Sequence, residues 1–333
     1  MDFSIRSRIE SLIKIVGKTT LLAPLDWGMG HATRSLAIAQ QLIRAGVKVI
    51  VATPSTYQTF WQQHLPSATV EIITGYNVQY GPHLPAWASV LLQSPHLLKT
   101  IRQEGVIAKK LVQKHGADSI ISDNRFGFVS KGSCTGIYIT NQLFQQIGPL
   151  SRFADRIHHH YIREFDFCIV PDYSSLEKSL AGKLTHGDIT RLPPVLYIDP
   201  ISRLVPLSRS TQYDGLLLAS GPMPLRQTFT KQLYRYAHQH PEKKFALIAP
   251  EATLDKAENV FPFIGVDGGT LSLLFSQSNH LICRSGYSTL MDAHVCGIKE
   301  YTLISTPGQP EQAYLAEYWK EKFDAEVVAF PKI

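Results

Sequence analysis

Apolar positions along this chain fall into short runs of four to seven residues, separated by longer stretches of helical period and by glycine and proline turns. Residues 21–25 are a continuous apolar run and read as a short buried strand, and residues 35–45, apolar at 36, 38, 39, 42 and 43, read as a helix. Strands follow at 47–52, 69–73, 118–122, 137–140 and 165–170, with a helix over 95–115 before the fourth. Residues 76–98 mix aromatic and leucine positions with prolines. They form either a core helix flanked by loops or an apolar flap that meets a greasy acceptor, and helical spacing of such stripes favours the core. Residues 184–206 hold four prolines with little periodicity and read as a linker. Alternation then resumes, with strands at 215–219, 245–249, 260–264, 280–283 and 301–305 and a helix over 225–240.

Two successive βαβ series on either side of a proline-rich hinge predict two Rossmann-like domains facing each other across a cleft. The expected organisation is a leader at 1–18, an N-terminal domain at 19–195 and a C-terminal domain at 196–333. The leader carries Arg6, Arg8, Lys14 and Lys18 among apolar residues, but it has no uninterrupted apolar core and so is not a secretory signal. It is either a short amphipathic helix lying on a membrane surface or an ordinary solvated leader.

Composition narrows the classes. With 44% hydrophobic and 18% charged residues the 333-residue chain is globular, and no apolar run approaches the roughly 20 residues that span a bilayer. The net charge of +6 suits an anionic partner, either a nucleotide or a phospholipid. Its basic residues are spread out, without the aromatic-basic interleaving of nucleic-acid surfaces, so nucleic acid is not an expected partner. Cys134, Cys168, Cys283 and Cys296 show no metal-ligand spacing and read as reduced cysteines of a cytoplasmic protein.

The candidate chemistry sits at turns that follow strands. Trp27-Gly28-Met29-Gly30-His31-Ala32-Thr33-Arg34 lies between the first strand and its helix, where Gly28 and Gly30 let the backbone approach a ligand. A dinucleotide fingerprint would place a third glycine at Thr33 and an acid about twenty residues on, so that reading is weakened. His31 either works on the ligand or merely caps the helix, and its place within the turn favours the first. Asp123, Asn124 and Arg125 follow the fourth strand, and Asn141 and Gln142 the fifth, positions where α/β sheets bind ligands. Late in the chain, Arg284-Ser285-Gly286-Tyr287-Ser288-Thr289 turns from a strand into a helix whose N-terminus can receive a pyrophosphate. Asp292, one turn further, is placed to meet a ribose diol. Gln309, Glu311 and Gln312 follow the next strand. Each motif alone is also an ordinary capped turn.

Together these motifs resemble the GT-B glycosyltransferases, specifically the group of the peptidoglycan N-acetylglucosaminyltransferase MurG and monogalactosyldiacylglycerol synthase. Residues 23–34, 122–125, 284–292 and 306–312 look like a set of MurG-like glycosyltransferases of bacteria and archaea, over about residues 19–330. The resemblance implies that Gly28, Gly30 and His31 face the acceptor and the donor diphosphate, and that Ser220 and Gly221 meet the pyrophosphate. It further implies that Gly286, Ser288 and Thr289 hold phosphates, Asp292 the ribose, and Glu311 and Gln312 the sugar hydroxyls. Arg284, Ser285 and Gln309 fall on the donor side, and Asn124, Arg125, Asn141 and Gln142 on the acceptor side. Met223 stands where these relatives tend to show Glu, and Asn141 where they tend to show His.

The expected reaction is transfer of a hexose, N-acetylglucosamine being one candidate, from a UDP-sugar co-substrate to an acceptor hydroxyl, with inversion and without a metal or other cofactor. Helix N-termini can stabilise the leaving diphosphate, and the chain has no Asp-x-Asp for a divalent ion. His31 is the expected base, with Asp123 as second choice. A sugar-nucleotide hydrolase or 2-epimerase, or a non-catalytic sugar-nucleotide or lipid-binding protein, are the alternatives. The apolar 76–98 segment and the basic start favour a lipid-linked acceptor and peripheral contact with the inner face of a membrane.

Overall fold

The computed structural model describes residues 10–76, 93–221, 225–249 and 257–329. The chain divides into two compact units, Met1–Ile201 and Ser202–Ile333.

The first unit opens with α1 (Glu10–Val16), then β1 (Thr19–Pro24), α2 (Met29–Arg44), β2 (Lys48–Thr53), α3 (Gln58–His64) and β3 (Thr69–Ile72). It continues through α4 (Ser94–His115), β4 (Ser119–Asp123), β5 (Thr135–Ile139), α5 (Ser151–Ile162), β6 (Phe167–Val170) and β7 (Val195–Tyr197). All seven strands are parallel, in the order β3-β2-β1-β4-β5-β6-β7. The inner strands β1, β2, β4, β5 and β6 are covered on both faces, which is why they read as nearly unbroken apolar runs. Leu22, Val49 and Val51 join Leu36, Ile38 and Leu42 of α2 in one core, while Leu21, Ile50 and Ala52 join Ala108, Leu111 and Val112 of α4 in another.

The second unit holds β8 (Tyr213–Leu218), α6 (Leu225–His238), β9 (Phe245–Ala249), β10 (Val260–Ile264), α7 (Gly268–Ser276) and β11 (Ser278–Arg284). It ends with α8 (Tyr287–Val295), β12 (Glu300–Ile304), α9 (Pro310–Phe323) and β13 (Glu326–Val327). Its six parallel strands run β10-β9-β8-β11-β12-β13. Strand order reverses between β1 and β4 in one sheet and between β8 and β11 in the other. Such reversals open a crevice beyond the carboxyl ends of the strands.

Two expectations change. Val195–Tyr197, inside the expected linker, pairs with β6 and completes the first sheet. Its three residues are too short to carry a period. In the leader, α1 buries Leu12 and Val16 in the first core, and Ser119 Oγ donates to the Val16 carbonyl at 2.6 Å. These two side chains are therefore not offered to a membrane. Within 76–98, Tyr76 and Leu97 are buried with Leu25, and residues 77–92 lie outside the described residues.

Arg125 locks the loop after β4. Its Nε donates to Glu104 Oε1 of α4 at 2.6 Å and its Nη2 to the Thr74 carbonyl at 2.8 Å. Tyr76 Oη and Gly127 N donate to Glu104 Oε2 at 2.6 and 3.1 Å. Burial pushes the Glu104 carboxyl up, against the pull of Arg125 and these donors. Helix α4 reaches this loop only because residue 127 has no side chain: a Cβ there would stand 2.0 Å from the Ile101 carbonyl oxygen. Gly127→Ala is expected to lower stability by about 3 kcal/mol in urea unfolding, by forcing α4 off the loop.

Candidate functional site

At the first sheet's reversal point, Gly28 takes φ 147° as the N-cap of α2. A side chain there would be strained, and the freedom of glycine lets the helix start at Met29, six residues before the expected Ser35. Gly30 and His31 thus belong to the first turn of α2. Residues 31, 34 and 35 then share a helix face at spacings of three and four, and that face meets Asp123 at the end of β4.

Asp123 is completely buried. Its Oδ1 accepts from His31 Nδ1 at 3.0 Å and from Arg34 Nη2, and its Oδ2 accepts from Arg34 Nε at 3.2 Å and Ser35 Oγ at 2.8 Å. Burial alone would raise this carboxyl, but the charge of Arg34 and the bonds from His31 and Arg34 outweigh it and hold Asp123 well below the usual carboxylate range. Both oxygens of Asp123, the second candidate base, are thus occupied by donors from α2.

Arg34 Nη1 also donates to Asn141 Oδ1 at 2.6 Å, and Nη2 lies 3.0 Å from His31 Nδ1. The Asp123 carboxylate can only accept, so the tautomer that bonds to it carries its proton on Nδ1, with the Arg34 guanidinium lying alongside. Nε2 is left as the basic nitrogen, without a partner among the described residues. The His31 side chain is 22% exposed, enough for a ligand to reach it.

The acceptor-side residues separate. Arg125 is fully buried in its bonds to Glu104 and Thr74, and Asn141 is buried against Arg34, so both support the site from beneath. Asn124 takes φ 57°, and its buried Oδ1 has no partner among the described residues. Gln142 is half-buried, with its backbone N–H on Thr140 Oγ1 at 3.0 Å. Arg34 and Ser35 are the functional neighbours that the sequence reading missed. Their spacing from His31 is the signal that could have found them, once the helix is known to start at Met29.

At the second sheet's reversal point, Gly221 (φ 110°) follows β8 and Arg284 ends β11. The buried Arg284 guanidinium donates to Thr306 Oγ1 and, at 3.1 Å, to the Leu225 carbonyl, and stacks on Phe229 at 4.6 Å. Its Nε has no hydrogen-bond partner, and no carboxylate pairs with it among the described residues. Burial brings its pKa down to about 10, so it remains charged near neutrality. A Cβ on Gly221 would lie 3.6 Å from that Nε, so the glycine backbone runs close beside the cation.

Gly286 is the N-cap of α8, with Ser288 and Thr289 half-buried in its first turn. Ser220 is half-buried beside Gly221. Ser285 and Gln312 are turned to internal work. Ser285 Oγ donates to the Gln312 carbonyl at 2.8 Å, and the Gln312 side chain accepts from Thr306 N at 2.9 Å and donates to Gln309 Oε1 at 2.5 Å. Ser285, Gln309 and Gln312, expected on the donor side, are thus joined with Thr306 in one hydrogen-bond network. Glu311 is half-buried in the first turn of α9. Met223 lies outside the described residues. Among the described residues, no cluster of His, Cys, Asp and Glu is arranged to hold a metal ion.

Two parallel-sheet Rossmann-like units, each with its candidate residues at the reversal of strand order, give the chain the fold of the GT-B glycosyltransferases. No protein-family model matches the sequence, and no curated protein matches it. Solved structures do match. The calicheamicin glycosyltransferase CalG4 aligns with a TM-score of 0.65 at 14% identity, over 93% of this chain and 85% of that one. UGT89C1 of Arabidopsis thaliana aligns at 0.64 and 12% identity, over 94% and 85%. UGT2 of Phytolacca americana, complexed with UDP-2fluoro-glucose and pterostilbene, aligns at 0.62 and 14% identity, over 95% and 86%.

Asp292 offers a test by pH. The Ser202 hydroxyl donates to its Oδ1, yet burial pushes its pKa up to about 6 against that bond and the charge of Arg203. A raised carboxyl pKa contributes stability below the unfolded value, and that stability is lost as pH rises through about 6. Asp292→Asn removes the ionisation, so its melting temperature should gain on the parent's between about pH 4 and about pH 8.

Proposed function

We propose that this protein is a UDP-sugar glycosyltransferase in which His31 takes the proton from an acceptor hydroxyl. The observation that carries the reading is the imidazole fixed at Nδ1 by Asp123, with Nε2 partnerless among the described residues at the carboxyl edge of a parallel sheet. An orienting carboxylate behind a histidine stabilises the imidazolium that forms when the ring accepts a proton. Asp123 keeps its own proton off throughout, and Arg34 keeps Asp123 in place.

The leaving group is the second requirement. As the bond to the anomeric carbon breaks, negative charge builds on the diphosphate. Arg284 supplies a buried positive charge not neutralised by any described carboxylate, and the N–H groups at the start of α8 add partial positive charge. These groups support a transfer that needs no divalent ion. Direct displacement by the deprotonated hydroxyl inverts the anomeric centre. Asp292 is assigned to the ribose, and Ser220, Gly221, Gly286, Ser288 and Thr289 to the phosphates. UGT2, with its UDP-2fluoro-glucose, supports a uridine nucleotide with a hexose, and the MurG-like pattern of residues 284–292 supports N-acetylglucosamine as the hexose to try first. The four unpaired cysteines suit the reducing cytoplasm.

A thermal-shift panel of UDP, UDP-glucose and UDP-N-acetylglucosamine tests donor binding, since a ligand that prefers the native state raises its melting temperature. Analysing free sugar, epimerised nucleotide and transferred product from one incubation separates the transferase from a hydrolase or epimerase. His31→Ala should cut UDP release in the presence of acceptor alcohols by roughly 100-fold while leaving the UDP-induced shift in place; unchanged release would discard His31 as base. Arg284→Met should act the other way, weakening UDP binding by about 10-fold or more in titration calorimetry.

A further inference from the structure

The turn that carries His31 also holds Trp27, and the fold fixes this residue without covering it. On one side Asp26 is pinned, its Oδ1 accepting from Tyr76 N at 3.2 Å and from Arg125 Nη1 at 3.3 Å. On the other side Gly28 caps α2. The indole meets the Tyr76 ring edge to face at 6.3 Å. Tyr76 is itself buried, bonded to Glu104 and packed against the Arg125 guanidinium at 5.0 Å. The lock around Glu104 therefore reaches out to the indole and stops there. Trp27 remains 38% exposed, has no other ring contact, and its indole N–H has no acceptor among the described residues. Met29, beyond Gly28, is 50% exposed. A residue before an N-cap often packs on the fourth residue of the helix, here the buried Ala32. That contact asks for an apolar side chain of any size. It does not account for a fixed, partly open indole with a free donor at its rim.

We infer that Trp27 is the platform on which the acceptor stacks, and that the group it selects is a hydroxylated six-membered ring. A flat ring face covers the indole, and the indole N–H meets an oxygen on that ring's rim. An acyclic alcohol offers no plane and must order its rotatable bonds to bind. Platform and base belong to one turn. Trp27 precedes the N-cap and His31 lies in the first turn of α2, so a ring held on the indole carries its hydroxyls beside the imidazole. Asp26 and Asp123 are already fastened, which leaves little of the turn to be ordered when the ring arrives. A pyranose and a phenol share this chemistry, a plane rimmed by hydroxyl. The acceptor role rests on the transferase reading, whereas the binding of a ring at Trp27 does not.

The experiment is saturation-transfer NMR of the full chain, with and without UDP, using methyl β-D-glucopyranoside, 4-methylphenol and the acyclic alcohol hexanol as probes. A ring probe is expected to bind where hexanol at the same concentration does not, and the glucoside against the phenol separates the two sources of ring. Trp27→Leu keeps an apolar side chain before the N-cap and should weaken ring binding roughly 10-fold, while Trp27→Phe should recover most of it. In UDP release with the ring acceptor, Trp27→Leu should raise KM by a similar factor and hold kcat within about 2-fold, the reverse of His31→Ala. In the parent, the Trp27 indole N–H resonance, assigned by its absence from Trp27→Phe, should move with the ring probe and stay with hexanol; this reading stands even if Trp27→Leu does not fold. No ring binding, hexanol binding as tight as the rings, an unmoved indole resonance, or unchanged ring affinity in a folded Trp27→Leu overturns the inference. Absence of UDP release with every alcohol would sink the transferase reading and leave the ring-binding result standing.

Discussion

The first unit depends on one buried carboxylate. Asp123 sits at the end of a central strand with no access to water, where an unpaired negative charge would be prohibitive. Four donors from a single helix turn remove that cost: both arms of the Arg34 fork, the Ser35 hydroxyl and the His31 ring. The same bonds therefore fasten α2 to β4 and set the orientation and tautomer of the imidazole. Stability and ring orientation are not separable here, because the group that needs neutralising is the group that aims the imidazole.

The second unit uses the opposite device. Arg284 is also buried and near the axis of its sheet, but its bonds run to a hydroxyl, a carbonyl and an aromatic face. These satisfy hydrogen bonding and shape without cancelling the charge. A cation kept in this way keeps its field uncancelled by any carboxylate among the described residues, and the backbone of Gly221 passes close beside it. Thr306, Gln312 and Gln309 form a relay of hydrogen bonds behind it that fixes Thr306 against the guanidinium.

Much of the framework was legible along the chain. The strands at 245–249 and 260–264 coincide with β9 and β10, and the others agree within about two residues at most ends; for inner strands such as β9 the reason is burial on both faces, which demands a continuous apolar run. Elements without such a signal were misread. Val195–Tyr197 is too short for a period, the leader's amphipathic pattern does not say which surface it covers, and the start of α2 depends on a backbone angle that only Gly28 can take.

The sequence by itself determined most of the strands, the longer helices that follow β1, β3 and β8, the glycine turns after β1 and β8, and which chemical groups lie beyond strand ends, since each follows from local periodicity and side-chain type. Only the tertiary structure decided which of those groups touch. Asp123 lies 92 residues from His31, and Arg125 lies 21 from Glu104. Nothing local distinguishes a carboxylate that will be buried under an arginine from one left in water, nor an arginine at a strand end that points to a ligand from one that anchors a loop. Sheet order settles those partners, by bringing β4 beside β1 and α4 over the loop beyond it.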